Sequence, residues 1–289
     1  MELGEAQEGT ASTVTSWLLV EQPGPWGYHA TRSNRMPREI ARHLRRQTRE
    51  LGVRLVLIRR PGHPRETGVR CFAANTARGE RSLWSFSVPS IEALGDVDVA
   101  VMMADTPQPF GARPDTDPLI LVCTNGRRDP CCAERGRPVF SALERVAGDR
   151  VWECSHIGGD RFAANVVWFP EGVYYGRVRP ADTERLVAAS AERSLLLDLF
   201  RGRTDVPMVA QAAETHLRRK LGLDGVDDVV GVTTESTRDE NERSVDAELA
   251  DGRRMLVTAR VDRSSPSRPL TCHSQRSVWP PSYHSLLSP

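Results

Sequence analysis

Between Cys123 and His156 the chain packs four of its six cysteines and an imidazole into about a tenth of its length. The run reads Cys-Thr-Asn-Gly-Arg-Arg-Asp-Pro-Cys-Cys, then a helix-like stretch, then Trp-Glu-Cys-Ser-His-Ile-Gly-Gly-Asp. Thiolate and imidazole are the protein groups soft enough to hold a redox metal centre. Such a run ties two loops of the fold together, and that limits which folds the chain can take.

Other features bound the function. The length of 289 residues favours roughly two domains, each able to bury a core without disulfides. A net charge of +1 exerts no global pull on nucleic acid, so any electrostatic role is local. Lys220 is the single lysine, which rules out a Gly-Lys-Ser/Thr phosphate loop and a kinase-type lysine. Residues 1–16 lack the basic, apolar and small-residue pattern of a signal peptide. No apolar run approaches the roughly 20 residues that span a bilayer. The expectation is a cytoplasmic protein, without membrane or nucleic-acid partners, in which clustered cysteines serve as metal ligands or redox groups.

Residues 1–16 read as disordered. Residues 17–105 read as an α/β region, with strands at 17–21, 53–59, 82–88 and 97–103 and a helix from Pro37 to Gly52. Residues 106–118, with four prolines, read as a linker opening a unit that ends at 202. That unit runs strand (119–123), ligand loop, helix (138–147, Pro138 in its first turn), strand (150–156), a hairpin over 165–178, and a long helix from near Ala181. This β-α-β then β-β-α order predicts a thioredoxin-like core. Residues 203–263 read as a small α+β domain and 264–289 as a Ser/Pro-rich, partly ordered tail. No internal repeat is visible.

Five candidate ligands compete for four places. Cys123 ends a strand, and Cys132 follows nine residues later across a loop carrying Gly126 and Pro130. Side chains of neighbouring residues diverge, so Cys132 is favoured over Cys131, which reads as a small buried hydrophobe. The period of two places Trp152, Cys154 and His156 on one strand face. Gly158 and Gly159 let the backbone fold closely, and Asp160 returns a carboxylate four residues after the imidazole.

The segment from Leu121 to about Val178 resembles the sucrase/ferredoxin-like family of thioredoxin-like ferredoxins. Three features carry the resemblance: Cys123-x8-Cys132, the Gly-Arg-Arg-Asp-x-Cys-Cys-Ala run, and His156-Ile-Gly-Gly-Asp160-Arg-Phe-Ala-Ala-Asn165. The opening Trp17-Leu-Leu-Val-Glu-Gln-Pro-Gly-Pro-Trp-Gly27 is similar to bacterial members. The resemblance implies a thioredoxin-like ferredoxin core with an N-terminal α/β extension and a small C-terminal α+β region. It also implies a [2Fe-2S] cluster held by the two cysteines and by histidines spaced His-x3-His. Carried over, this gives Cys123, Cys132 and His156, with Asp160 standing where the second histidine would be. Asp160 ranks first for the fourth place on positional match, and Cys154 second on strand geometry.

With a carboxylate in that place the oxidised centre sums to roughly −1, against about −2 for four thiolates. The expected reduction potential therefore lies above that of plant-type ferredoxins and rises as pH falls. Arg127, Arg128 and Arg161 flank the site and are expected to receive an acidic redox partner.

The chain reads as an electron carrier more than a catalyst. Two alternatives stand beside that reading: a thiol-disulfide protein using Cys131 with Cys132 or Cys132 with Cys154, and a zinc module completed by Asp160 or Cys154. The sequence lacks a Cys-x-x-Cys at the strand-to-helix turn and a paired-carboxylate signature for sugar hydrolysis. His29, His43, His63, His216 and His284 read as core or surface residues, and Cys272-His273 as a weak metal pair in the tail.

Overall fold

The structure is a computed structural model that describes residues 5–32, 34–62, 68–107, 109–272, 274–280 and 282–287. The first half runs β1 (Ser16–Glu21), α1 (Arg38–Glu50), β2 (Arg54–Arg59), β3 (Val69–Asn75), β4 (Ser82–Val88), α2 (Val99–Met102) and β5 (Arg113–Pro114). The second runs β6 (Leu119–Cys123), α3 (Pro130–Ala147), β7 (Val151–Cys154), β8 (Val166–Phe169), β9 (Val173–Tyr175), α4 (Thr183–Ala191) and β10 (Phe200–Arg203). After these come α5 (Met208–Leu221) and β11 (Val229–Ser236), β12 (Glu242–Leu249), β13 (Arg254–Asp262) and β14 (Ser282–Leu287).

The first ten strands form one sheet in the order β10-β9-β8-β6-β7-β2-β1-β3-β4-β5. Within it β6 and β7 are parallel neighbours joined through α3, and β8 and β9 add antiparallel on the other side of β6. That order and polarity are thioredoxin-like, and the fold class is α/β as the sequence implies.

The first half repeats the arrangement. β1 and β2 are parallel neighbours joined through α1, and β3 and β4 add antiparallel beyond β1. The two units meet where β2 pairs antiparallel with β7, and the Arg59–Glu153 ion pair, at 2.6 Å, closes the seam. No repeat shows in the sequence because topology follows from which positions are buried, and different residues satisfy it in each half. Only the second unit ends its first strand on a thiol, Cys123. The first ends on Glu21, followed by Gln22.

The central strands are apolar on both faces because both are covered. Leu18 and Val20 pack with Ala41 and Leu44 of α1. Trp17 and Leu19 join Leu119, Leu121, Cys123 and Trp152 in a core shared by both units on the opposite face. Residues 5–15, expected to be disordered, cover that shared face, with Ala11 wholly buried in it. Their Gln7 and Thr10 are buried as well. The sequence misled here because these residues are polar, and their hydrogen bonds go to partners some 200 residues away.

Several elements differ from expectation. Residues 97–103 hold the helical turn α2, because the Asp98 side chain accepts from Ala100 N and Val101 N and caps it. Helix α3 starts at Pro130 with Asp129 as its cap, so Pro138 is interior and both Cys131 and Cys132 belong to the first turn. The helix near Ala181 is short, a 3-10 turn leading into nine residues of α4. The Ser/Pro-rich tail contributes β14 to a four-stranded sheet, β11-β12-β13-β14, against which α5 packs. No helix among the described residues is long and apolar enough to cross a membrane.

Candidate metal centre

Cys123 is the last residue of β6, and its N–H donates to Asn165 O at 3.0 Å, which pins the strand end. The following loop turns on Asn125, whose carbonyl accepts from Arg128 N and Asp129 N and whose side-chain amide donates to Gly27 O. Gly136 lets α3 approach: a Cβ there would lie 2.2 Å from Cys123 O. The first turn of α3 thus lands against the end of β6 and carries Cys132, fully buried, to Cys123.

The second loop follows β7. Arg54 donates to His156 O at 3.3 Å and Ser12 to Ile157 O at 3.1 Å. Gly159 takes a left-handed conformation, φ 79°, where a side chain would strike the Arg201 guanidinium. Asn165 donates to Gly159 O at 2.8 Å, and Arg201 donates to Gly158 O and to Asn165 Oδ1. The loop is held at its carbonyls while its side chains face the thiols.

The Cys123 and Cys132 sulfurs and a ring nitrogen of His156 lie within 4.8 Å of one another. Asp160 Oδ1 lies 2.9 Å from His156 Nδ1 and accepts from Cys132 Sγ at 3.3 Å. The imidazole–carboxylate contact is close in distance but off the line of a hydrogen bond, which leaves Nδ1 buried without an aligned partner. Cys123, Cys132 and Asp160 are buried, and the partly exposed His156 ring forms the outer edge.

Charge follows from this packing. The Cys132 thiol beside Cys123 lowers the latter to about 5, against its burial and with help from His156. Cys132 is pushed up by Cys123, by burial and by Asp160. Burial disfavours the His156 imidazolium, yet Asp160 and Cys123 outweigh it and raise the ring to about 9. Burial opposes ionisation of Asp160, and His156, Cys132 and Arg128 reverse that and lower it. A metal bound here would displace protons from His156 and Cys132.

Cys154 stays apart from this group: it is buried between β2 and β6, and burial raises its thiol well above the ordinary value. Cys131 is not a buried hydrophobe, because successive positions of a helix point about 100° apart and Cys131 faces outward to Cys272. Of the three flanking arginines, Arg127 is exposed, Arg128 stacks on Tyr28, and Arg161 pairs with Glu5 at 2.6 Å. His63 and His273 lie outside the described residues. Arg201 and Arg54, which hold the second loop, gave no sequence signal, since their partners are backbone carbonyls distant along the chain.

A thioredoxin-like unit whose two thiols, at the junction of its first strand and first helix, meet an imidazole and a carboxylate from the loop after β7 defines a class of protein with a soft-ligand centre. The chain belongs to the sucrase/ferredoxin-like family, whose model matches residues 7–202. Among curated proteins it is 33% identical over 98 residues to altered inheritance of mitochondria protein 32 of Meyerozyma guilliermondii. It is 31% identical over 109 residues to that of Clavispora lusitaniae. These alignments span 30% and 35% of this chain and only 35% and 40% of the relatives. Among solved structures it is similar to a thioredoxin-like [2Fe-2S] ferredoxin from Aquifex aeolicus, at 20% identity and TM-score 0.28, over 32% of this chain and 97% of that one. The mitochondrial name of the curated relatives overturns the expectation of a cytoplasmic location.

Proposed function

We propose that the chain is an electron-transfer protein holding a [2Fe-2S] cluster through Cys123, Cys132, His156 and Asp160. The observation that carries this reading is the convergence of two sulfurs and an imidazole nitrogen from two loops, with the Asp160 carboxylate against His156 and Cys132. The unaligned buried Nδ1 of His156 and the mix of thiol and imidazole donors fit iron-sulfur ligation. Such a group supplies one-electron oxidation and reduction.

The protein's own residues do the rest. Cys123 and Cys132 hold the buried side of the centre, and Asp160, 2.9 Å from His156 Nδ1, completes the donor set. The His156 edge is the contact with solvent and so the point of electron entry or exit. Exposed Arg127 and neighbouring Arg128 are the cations offered to an acidic redox partner, Arg161 being engaged by Glu5.

One observation favours a second reading. Three donor atoms within 4.8 Å of one another also suit a single tetrahedral zinc. Replacing residues singly and recording visible spectra of anaerobically purified protein tests the assignment. Asp160→Ala reshapes the iron-sulfur absorption and Cys154→Ala leaves its form unchanged. The reverse pattern assigns the fourth place to Cys154, and colourless wild-type protein containing zinc supports the second reading.

A further inference from the structure

Cys131 and Cys272 lie 141 positions apart in sequence, yet their sulfurs are 3.5 Å apart. Both are accessible, Cys131 half-buried and Cys272 exposed. Asp129 sets the meeting: Oδ1 accepts from Cys131 N at 3.0 Å and Oδ2 from Cys272 N at 2.7 Å. A single buried carboxylate therefore binds the backbones of both cysteines and holds the two thiols face to face. The segment bearing Cys272 is anchored too. Arg268 and Val278 exchange backbone hydrogen bonds of 3.0 Å that close the loop between them, and Arg268 pairs with Glu5 at 2.8 Å.

We infer that Cys131 and Cys272 form a reversible disulfide. The sulfurs must approach by about 1.5 Å to reach bonding distance, a movement within reach of an exposed loop tip. The three donors Asp129, Cys131 and Cys272 also gather within 4.8 Å. Because both Asp129 oxygens already accept backbone N–H groups, the thiol pair is the reactive element of the three.

The oxidant is a low-molecular-weight disulfide. In two exchange steps its S–S bond breaks and one S–S bond forms between Cys131 and Cys272. The two electrons and two protons given up by the protein thiols leave in two molecules of small thiol. The product ties the 268–278 loop across a cleft of about 280 Å³ whose walls include Cys131, Arg135, Asp160 and Arg161. Any effect of that tether on electron transfer rests on the cluster reading above, whereas the cross-link does not.

The test treats the full chain with oxidised glutathione, blocks remaining thiols, digests with trypsin and maps the peptides by mass spectrometry. A linkage between the peptide containing Cys131 and Cys132 and the peptide containing Cys272 is expected, and reversal by a dithiol. Because the first peptide holds two cysteines, the same mapping is done on Cys131→Ser, in which the cross-link should fall at least tenfold. Persistence of the cross-link in Cys131→Ser, or wild-type Cys272 recovered only free or joined to glutathione, overturns the inference. Native circular dichroism of Cys131→Ser confirms that loss of the cross-link is not loss of the fold.

Discussion

Replacing Arg201 by Met should loosen the His156–Asp160 loop without touching a donor atom. Arg201 is 1% exposed, and its guanidinium donates to Thr10 Oγ1, Thr10 O, Gly158 O and Asn165 Oδ1. Its loss strands at least three buried acceptors, at roughly 2 kcal/mol each, or about 6 kcal/mol. Against this, burial lowers Arg201 to about 10, which corresponds to about 3 kcal/mol set against its charge and returned when the charge is removed. The net expectation is a loss of about 3 kcal/mol, read as a fall of roughly 1 M in the urea midpoint by tryptophan fluorescence. Amide exchange should rise first at Phe162 and Ala163, whose N–H groups close the turn onto Gly159 and Asp160. A loss below about 1 kcal/mol, or faster exchange in α5 with the loop unchanged, would refute the reasoning.

Two further outcomes follow from the packing. Gly136→Ala, which in an open helix stabilises by roughly 1 kcal/mol, should here destabilise by about 1–3 kcal/mol, because its Cβ meets Cys123 O; thermal melting measures the sign. Glu214 is buried, which opposes its ionisation, yet Arg78 and Arg218 pull it down to about 2. Its folded value lies below its unfolded one, so its stabilisation is full above about pH 4.5 and is lost as pH falls toward 2. Glu214→Gln should flatten the acid limb of a stability–pH profile by up to about 1.4 kcal/mol per pH unit, and an unchanged slope would contradict the linkage.

Much of the core was legible because buried strands are continuous apolar runs: residues 119–123 and 17–21 are covered on both faces and read directly as strands. Residues 97–103 are as apolar, and there Asp98 capping decided for a helix, a choice that periodicity over seven residues does not make. β10 was missed because its Arg201 and Arg203 are charged yet buried, each satisfied by distant carbonyls. Pro138 drew the start of α3 too late, since proline suits a first turn and Pro130 and Pro138 both qualified. Spacing within one unit marked Cys123, Cys132, Cys154, His156 and Asp160 as candidates, and the family resemblance, not spacing, ranked Asp160 ahead of Cys154. The Asp129 link between Cys131 and Cys272 was not, because nothing local marks a contact across 141 positions.

The central claim is tested most directly by iron, zinc and acid-labile sulfide content of the chain purified without oxygen. About two irons and two sulfides per chain, with negligible zinc, are expected for a [2Fe-2S] centre held by Cys123, Cys132, His156 and Asp160. One zinc per chain without sulfide, or no metal at all, would contradict it.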